Sequence, residues 1–190
     1  MRWLVACLIP ASAWAQTVTV EVRHYSHTVG LSNAEARQVY RSAVEQIGAE
    51  LGVKVRLVRW RTQPGSPQRA IEGFDIAPTR FCRSDRADVC LRIEPKFFLR
   101  GYHYSDGAAV QCGPLALARV GRLDRFPGRE TDHARLVIAH ELAHTLGARH
   151  TDEVTAMHAA AQSYLEGAGW HLGFGDETRR QVRRCIWGKQ

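Results

Sequence analysis

Polar and apolar residues alternate from Thr17 to Val22, Thr-Val-Thr-Val-Glu-Val, with a β-branched valine at every second place, which predicts a strand. The rhythm then changes. Ser32-Asn33-Ala34-Glu35 has the form of a capping box, and Val39, Tyr40, Ala43, Val44, Ile47 and Leu51 follow at steps of three and four. That is one face of an amphipathic helix, which should end near Gly52. Val53 to Trp60 alternates apolar with basic residues and reads as a second strand, followed by the loop Gln63-Pro64-Gly65-Ser66-Pro67. Short strands are predicted at Phe74 to Ala77, Phe97 to Leu99 and Leu115 to Val120. Between them the polar span from Cys82 to Pro95 reads as a loop, and Gly101 to Gly107 as a turn-rich connection. Thr131 or Asp132 should cap a further helix with Ala134, Val137, Ile138 and Leu142 along its apolar side. Gly167, Gly169, Gly173 and Gly175 predict irregular backbone before a last helix opened by Asp176-Glu177-Thr178, with Val182, Cys185, Ile186 and Trp187 as its buried contacts. No internal repeat and no second domain is visible.

The chemistry lies in the second half of that middle helix. Residues 140–150 read His-Glu-Leu-Ala-His-Thr-Leu-Gly-Ala-Arg-His, or H-E-x-x-H-x-x-G-x-x-H. His140 and His144 are four apart, so on a helix they lie one above the other and can grip one metal ion. Glu141 can reach a water on that metal without ligating it. Gly147 permits a left-handed exit from the helix that a side chain would disfavour, and the turn returns His150 as a third nitrogen ligand. Three neutral nitrogen ligands leave a coordination position open, the layout of a catalytic zinc site. A bare HExxH is weak by itself; the extended pattern fixes five residues over eleven positions.

This stretch resembles the signature of the metzincin clan of zinc peptidases, which includes astacins, adamalysins, matrixins and serralysins. Met157, in Thr155-Ala156-Met157-His158, stands where that clan places a methionine turn under the metal, and Met1 is the other methionine of the chain. The resemblance implies an α+β fold: a twisted mixed β-sheet with a backing helix and an active-site helix, then a small irregular C-terminal half ending in a helix. It implies a Zn2+ cofactor on His140, His144 and His150, Glu141 as general base, and a strand between Ala108 and Val120 that borders the cleft and binds substrate backbone. Astacins and serralysins carry a tyrosine two residues after the methionine. Ala159 stands there, so the site should be of the three-histidine adamalysin or matrixin type. The activity implied is endopeptidase, with a catalytically silent zinc-bound binding or regulatory module as the alternative.

Compartment and charge add to this picture. Met1 to Ala15 has one arginine, a short apolar run and Ala13-x-Ala15, the form of a secretory signal peptide cut before Gln16; the run is shorter than the ~20 residues of a membrane span. The expected organisation is a signal peptide at 1–15 and a single catalytic domain at 16–190, secreted or periplasmic. Cys82, Cys90, Cys112 and Cys185 remain after Cys7 departs, and an even number in an exported chain argues for two disulfides. Three connectivities are open. Cys82 and Cys90 are close enough in sequence to close a short loop, which would leave Cys112 for Cys185, and adamalysin-like domains carry a tie similar to the latter. The chain of 190 residues has a formal charge of +7, but its arginines are scattered and the dense group at Arg179, Arg180, Arg183 and Arg184 reads as a solvated face. The expected partner is a protein or peptide substrate, with no nucleic acid, no stable membrane anchor and a monomeric state.

Overall fold

The computed structural model describes residues 17–26, 31–64, 86–94, 106–120, 128–159 and 172–187, the side chains of 183–187 excepted. Strand β1 (Thr17–Ser26) leads into helix α1 (Asn33–Leu51) and strand β2 (Lys54–Pro64). β3 (Val89–Glu94), β4 (Gly107–Ala109) and β5 (Leu115–Arg119) follow, then helices α2 (Glu130–Thr145) and α3 (Asp176–Trp187). The sheet has the order β2-β1-β3-β5-β4, parallel throughout except for β4, which runs antiparallel to β5 at one edge.

Helix α1 begins where its sequence dictates. The Ser32 hydroxyl accepts from the Glu35 N–H at 3.3 Å, and the Glu35 carboxylate accepts from the Ser32 N–H at 2.8 Å. Gly52 ends it with φ 70°. Its buried stripe of Ala36, Val39, Tyr40, Ala43, Ile47 and Leu51 lies on the sheet face formed by Val18, Val20, Val22, Leu91 and Ile93. Helix α2 packs beside α1 on β5 and β4, where Ala116 and Ala118 join the same core. Both helices therefore share one face of the sheet.

Three sequence expectations differ from the structure. β2 runs through Gln63 and Pro64, pairing with Tyr25 and Ser26, where a loop was expected; proline is tolerated there because β2 is an edge strand among the described residues. Helix α2 starts at Glu130, and its N-cap is Arg129, without a side-chain cap bond. Thr131 and Asp132 are already in the first turn, where Glu130 and Asp132 complement the positive helix end. The largest difference is β3, in the span read as a polar loop. All six of its residues are buried. Val89, Leu91 and Ile93 face the helices, and the polar residues that disguised the strand point to the opposite face. There Arg92 and Glu94 form a buried ion pair, the Arg92 guanidinium stacks 4.9 Å from the Tyr25 ring centre, and Glu21 meets Arg23 and Arg61 at 3.2 and 3.3 Å. The far face of the sheet is thus charged yet buried, and mutual pairing makes that tolerable.

The strands expected at Phe74–Ala77 and Phe97–Leu99 lie outside the described residues, as do the signal segment and Cys82. Cys90 and Cys112 are both disulfide-bonded, and the cysteines expected as their partners, Cys82 and the Cys185 side chain, lie outside the described residues. No described helix is long and apolar enough to cross a membrane.

Candidate metal centre

Helix α2 is buried on most of its circumference, including His133, His140 and Glu141. Such burial positions its side chains firmly. His140 and His144 stand one turn apart, ring centres 4.7 Å apart and nearly perpendicular. The helix ends at Leu146. Gly147 then takes φ 106°, its N–H donates to the His144 carbonyl at 2.9 Å, and the Ala148 N–H donates to the Ala143 carbonyl at 3.0 Å. This pair of bonds is a Schellman turn, which satisfies the last carbonyls and reverses the chain. The reversal brings the His150 ring to 4.8 Å from His144 and 5.2 Å from His140.

The three Nε2 atoms form a nearly equilateral triangle, with His140–His144 at 3.1 Å and both distances to His150 at 3.2 Å. The other nitrogens of the first two rings show what this triangle is. His140 Nδ1 donates to the Ala156 carbonyl at 2.6 Å, and His144 Nδ1 donates to the Ala148 carbonyl at 2.8 Å. A carbonyl accepts only, so each ring carries its proton on Nδ1 and presents a bare lone pair at Nε2. Lone pairs converging at 3.1 Å are not hydrogen-bonded to one another; a cation between them removes the repulsion. Tetrahedral zinc with bonds of 2.0–2.1 Å needs nitrogens about 3.3 Å apart, so the donor set fits that ion. Burial, followed by the neighbouring His144, holds His140 down to about 3; burial also lowers His144 and His150, the latter with help from His158. The triad is therefore neutral at ordinary pH and ready to ligate.

The turn that follows is tied to the site. Ala156, whose carbonyl orients His140, precedes Met157, which is fully buried. Thr155 accepts from the His158 N–H through its carbonyl at 3.1 Å, and its hydroxyl accepts from the Met157 N–H at 3.3 Å. The Thr151 N–H donates to the Met157 carbonyl at 3.1 Å, closing the turn against the segment just after His150. The two carbonyls that orient the histidines could not be read from the sequence, because any residue type supplies a carbonyl.

Glu141 follows His140 on the helix and is buried, its side chain against the start of β4. Burial pushes its carboxyl well above the usual range, and nearby Asp106 pushes the same way. Its Oε2 has no hydrogen-bond partner among the described residues. The β4–β5 hairpin clamps the far end of α2: the Cys112 N–H donates to the His144 carbonyl at 3.0 Å, and the Gln111 amide to the Gly147 carbonyl at 3.2 Å. A cavity of about 480 Å³ opens there, lined by Gln111, Cys112, Gly147, Arg149, His150, Glu177 and Gln181. Of the three histidines, His150 borders this space. Asp106, Gly107 and Gln111 were not singled out from sequence; short polar residues in a turn-rich stretch carry no periodic signal.

Among solved structures, the chain is similar to archaemetzincin from Methanopyrus kandleri, with TM-score 0.67 and 19% identity over 95% of this chain and 99% of that one. It is also similar to archaemetzincin from Archaeoglobus fulgidus, solved with malonate (TM-score 0.58, 14% identity, 86% and 99% covered). A zinc-dependent peptidase from Methanocorpusculum labreanum follows, with TM-score 0.54 and 17% identity over 86% and 99%. No protein-family model and no curated protein sequence matches. At these identities the likeness establishes the fold: a mixed α/β domain on a five-stranded, mainly parallel sheet.

Proposed function

We propose that this chain is an exported zinc-dependent endopeptidase of metzincin type. The observation that carries the reading is the triangle of bare Nε2 atoms on His140, His144 and His150, with Glu141, buried, next to His140 on the same helix. A structural neighbour described as a zinc-dependent peptidase supports it.

Zinc held by the three histidines would acidify a water and polarise the scissile carbonyl. Positive charge there also favours the ionised form of Glu141, against the burial that opposes it. Glu141 takes the proton of the attacking water and passes it to the leaving amine. Ala156 and Ala148 hold the first two ligands in the correct tautomer through their carbonyls. β4 (Gly107–Ala109), the outer strand beside β5 among the described residues, is the strand that would border the cleft and align an extended substrate. Met157 supports the floor of the site through the turn it occupies.

The same reading includes a signal peptide at 1–15, a secreted or periplasmic mature chain acting as a monomer, and two disulfides. In those, Cys90 takes Cys82 and Cys112 takes Cys185. The test is cleavage of a mixed peptide library by the chain from Gln16 onward, with and without a zinc chelator, beside Glu141→Ala. Hydrolysis should require zinc and fall by about 10²–10⁴-fold in the variant, which still binds zinc and folds. A variant as fast as the parent would overturn the role of Glu141; a parent that binds zinc yet cleaves nothing would favour a silent zinc-bound module.

A further inference from the structure

The geometry points to Gly107 as a positioning residue for the general base: the missing side chain at the start of β4 leaves the space in which the Glu141 carboxylate lies. This inference rests on the zinc-peptidase reading and adds a residue that the motif does not contain. A Cβ built on Gly107 would come within 2.2 Å of Glu141 Oε1 and 2.5 Å of both its Cδ and Cγ. Real Cβ contacts essentially never fall below 3.0 Å, so no side chain fits while Glu141 stays where it is. The backbone at Gly107 is not in the left-handed region, which makes the requirement for glycine here a matter of space and not of φ.

The strand cannot retreat to make room. The residue before it is fixed: the Arg119 N–H donates to the Asp106 carbonyl at 2.7 Å, and the Asp106 carboxylate lies 3.3 Å from His133 Nε2 and 3.4 Å from the Arg119 guanidinium. Gly107 itself stands opposite Ala118 in the β4–β5 ladder. The Glu141 backbone is equally fixed, in the middle of α2. The soft part of this contact is the Glu141 side chain. Any residue larger than glycine at 107 therefore turns the carboxylate away from its place, while the three histidines, none of which is among the nearest atoms to a Cβ at 107, stay in position.

Gly107→Ala tests this in the zinc-loaded chain. Zinc should stay at one per chain, kcat should fall about a hundredfold with KM within about threefold, and a crystal structure should show the Glu141 carboxylate swung off β4. Thermal stability separates steric coupling to Glu141 from a general structural role. Gly107→Ala should lower Tm by several degrees in the parent chain and leave it unchanged in Glu141→Ala, where the clashing atoms are gone. An equal loss of Tm in both backgrounds, or a carboxylate unmoved in the crystal, would overturn the inference, and both readouts hold even if the parent proves not to be a peptidase. If Gly107→Ala does not fold, the double variant decides: a folded double variant supports the clash, and an unfolded one refutes it.

Discussion

Gly147 lets one helix and its exit bring three histidines together, the ligands proposed for zinc. Its φ of 106° lies where an L side chain is strained, and its N–H and that of Ala148 close the turn that returns His150. Gly147→Ala should cost about 1–2 kcal/mol of stability. Part of that strain should appear as a displaced third ligand, weakening zinc binding roughly tenfold; competition with a chelating dye measures it. A variant with parental zinc affinity would show that the turn does not place His150. At this scale the sequence carried much of the information. The spacing of His140 and His144 put both on one face, and the glycine marked the reversal. The orienting carbonyls of Ala148 and Ala156, and the closeness of Gly107 to Glu141, depend on which distant segments meet, and residue type does not encode that.

Elements were legible where burial is one-sided. Helix α1 has an apolar stripe, a capping box and a terminal glycine, and its predicted and observed limits agree closely. β3 is the opposite case. Its core-facing valine, leucine and isoleucine alternate with Cys90, Arg92 and Glu94, which are buried too. Buried charges mimic a solvated face, so the central strand looked like a loop. The Arg92–Glu94 pair leads to a prediction about this element. Glu94→Gln removes the carboxylate that meets the buried Arg92 guanidinium and should cost about 3–5 kcal/mol. Replacing both, as Arg92→Met with Glu94→Leu, should cost less than the single change. Urea midpoints at constant m-value distinguish the two cases, and a double variant weaker than the single one would contradict this view of the charged face.

The whole molecule couples the site to stability through protons. In the metal-free chain His140, His144, His150 and buried His24 all titrate below the 6.5 of an unfolded histidine. The unfolded chain therefore binds more protons, and their contribution to stability, complete above pH 6.5, is lost as pH falls through the folded values, about 3 for His140. Glu141 works in the other direction. Its raised folded value contributes stability below the unfolded 4.5, which is lost as pH rises through the folded value. Metal-free Glu141→Gln removes that opposing titration. Its unfolding free energy should fall monotonically from pH 7 to pH 5, more steeply than the parent's. A flat profile would mean that the histidines are not held neutral by the fold.

The central claim, that the histidine triangle is a catalytic zinc site, is tested most directly by titrating zinc into metal-free chain while following peptide hydrolysis. Activity should rise linearly and saturate at one zinc per chain, and chelator should abolish it. Hydrolysis that is indifferent to zinc, or a chain that binds one zinc at the triad and cleaves no peptide in the library, would contradict the account.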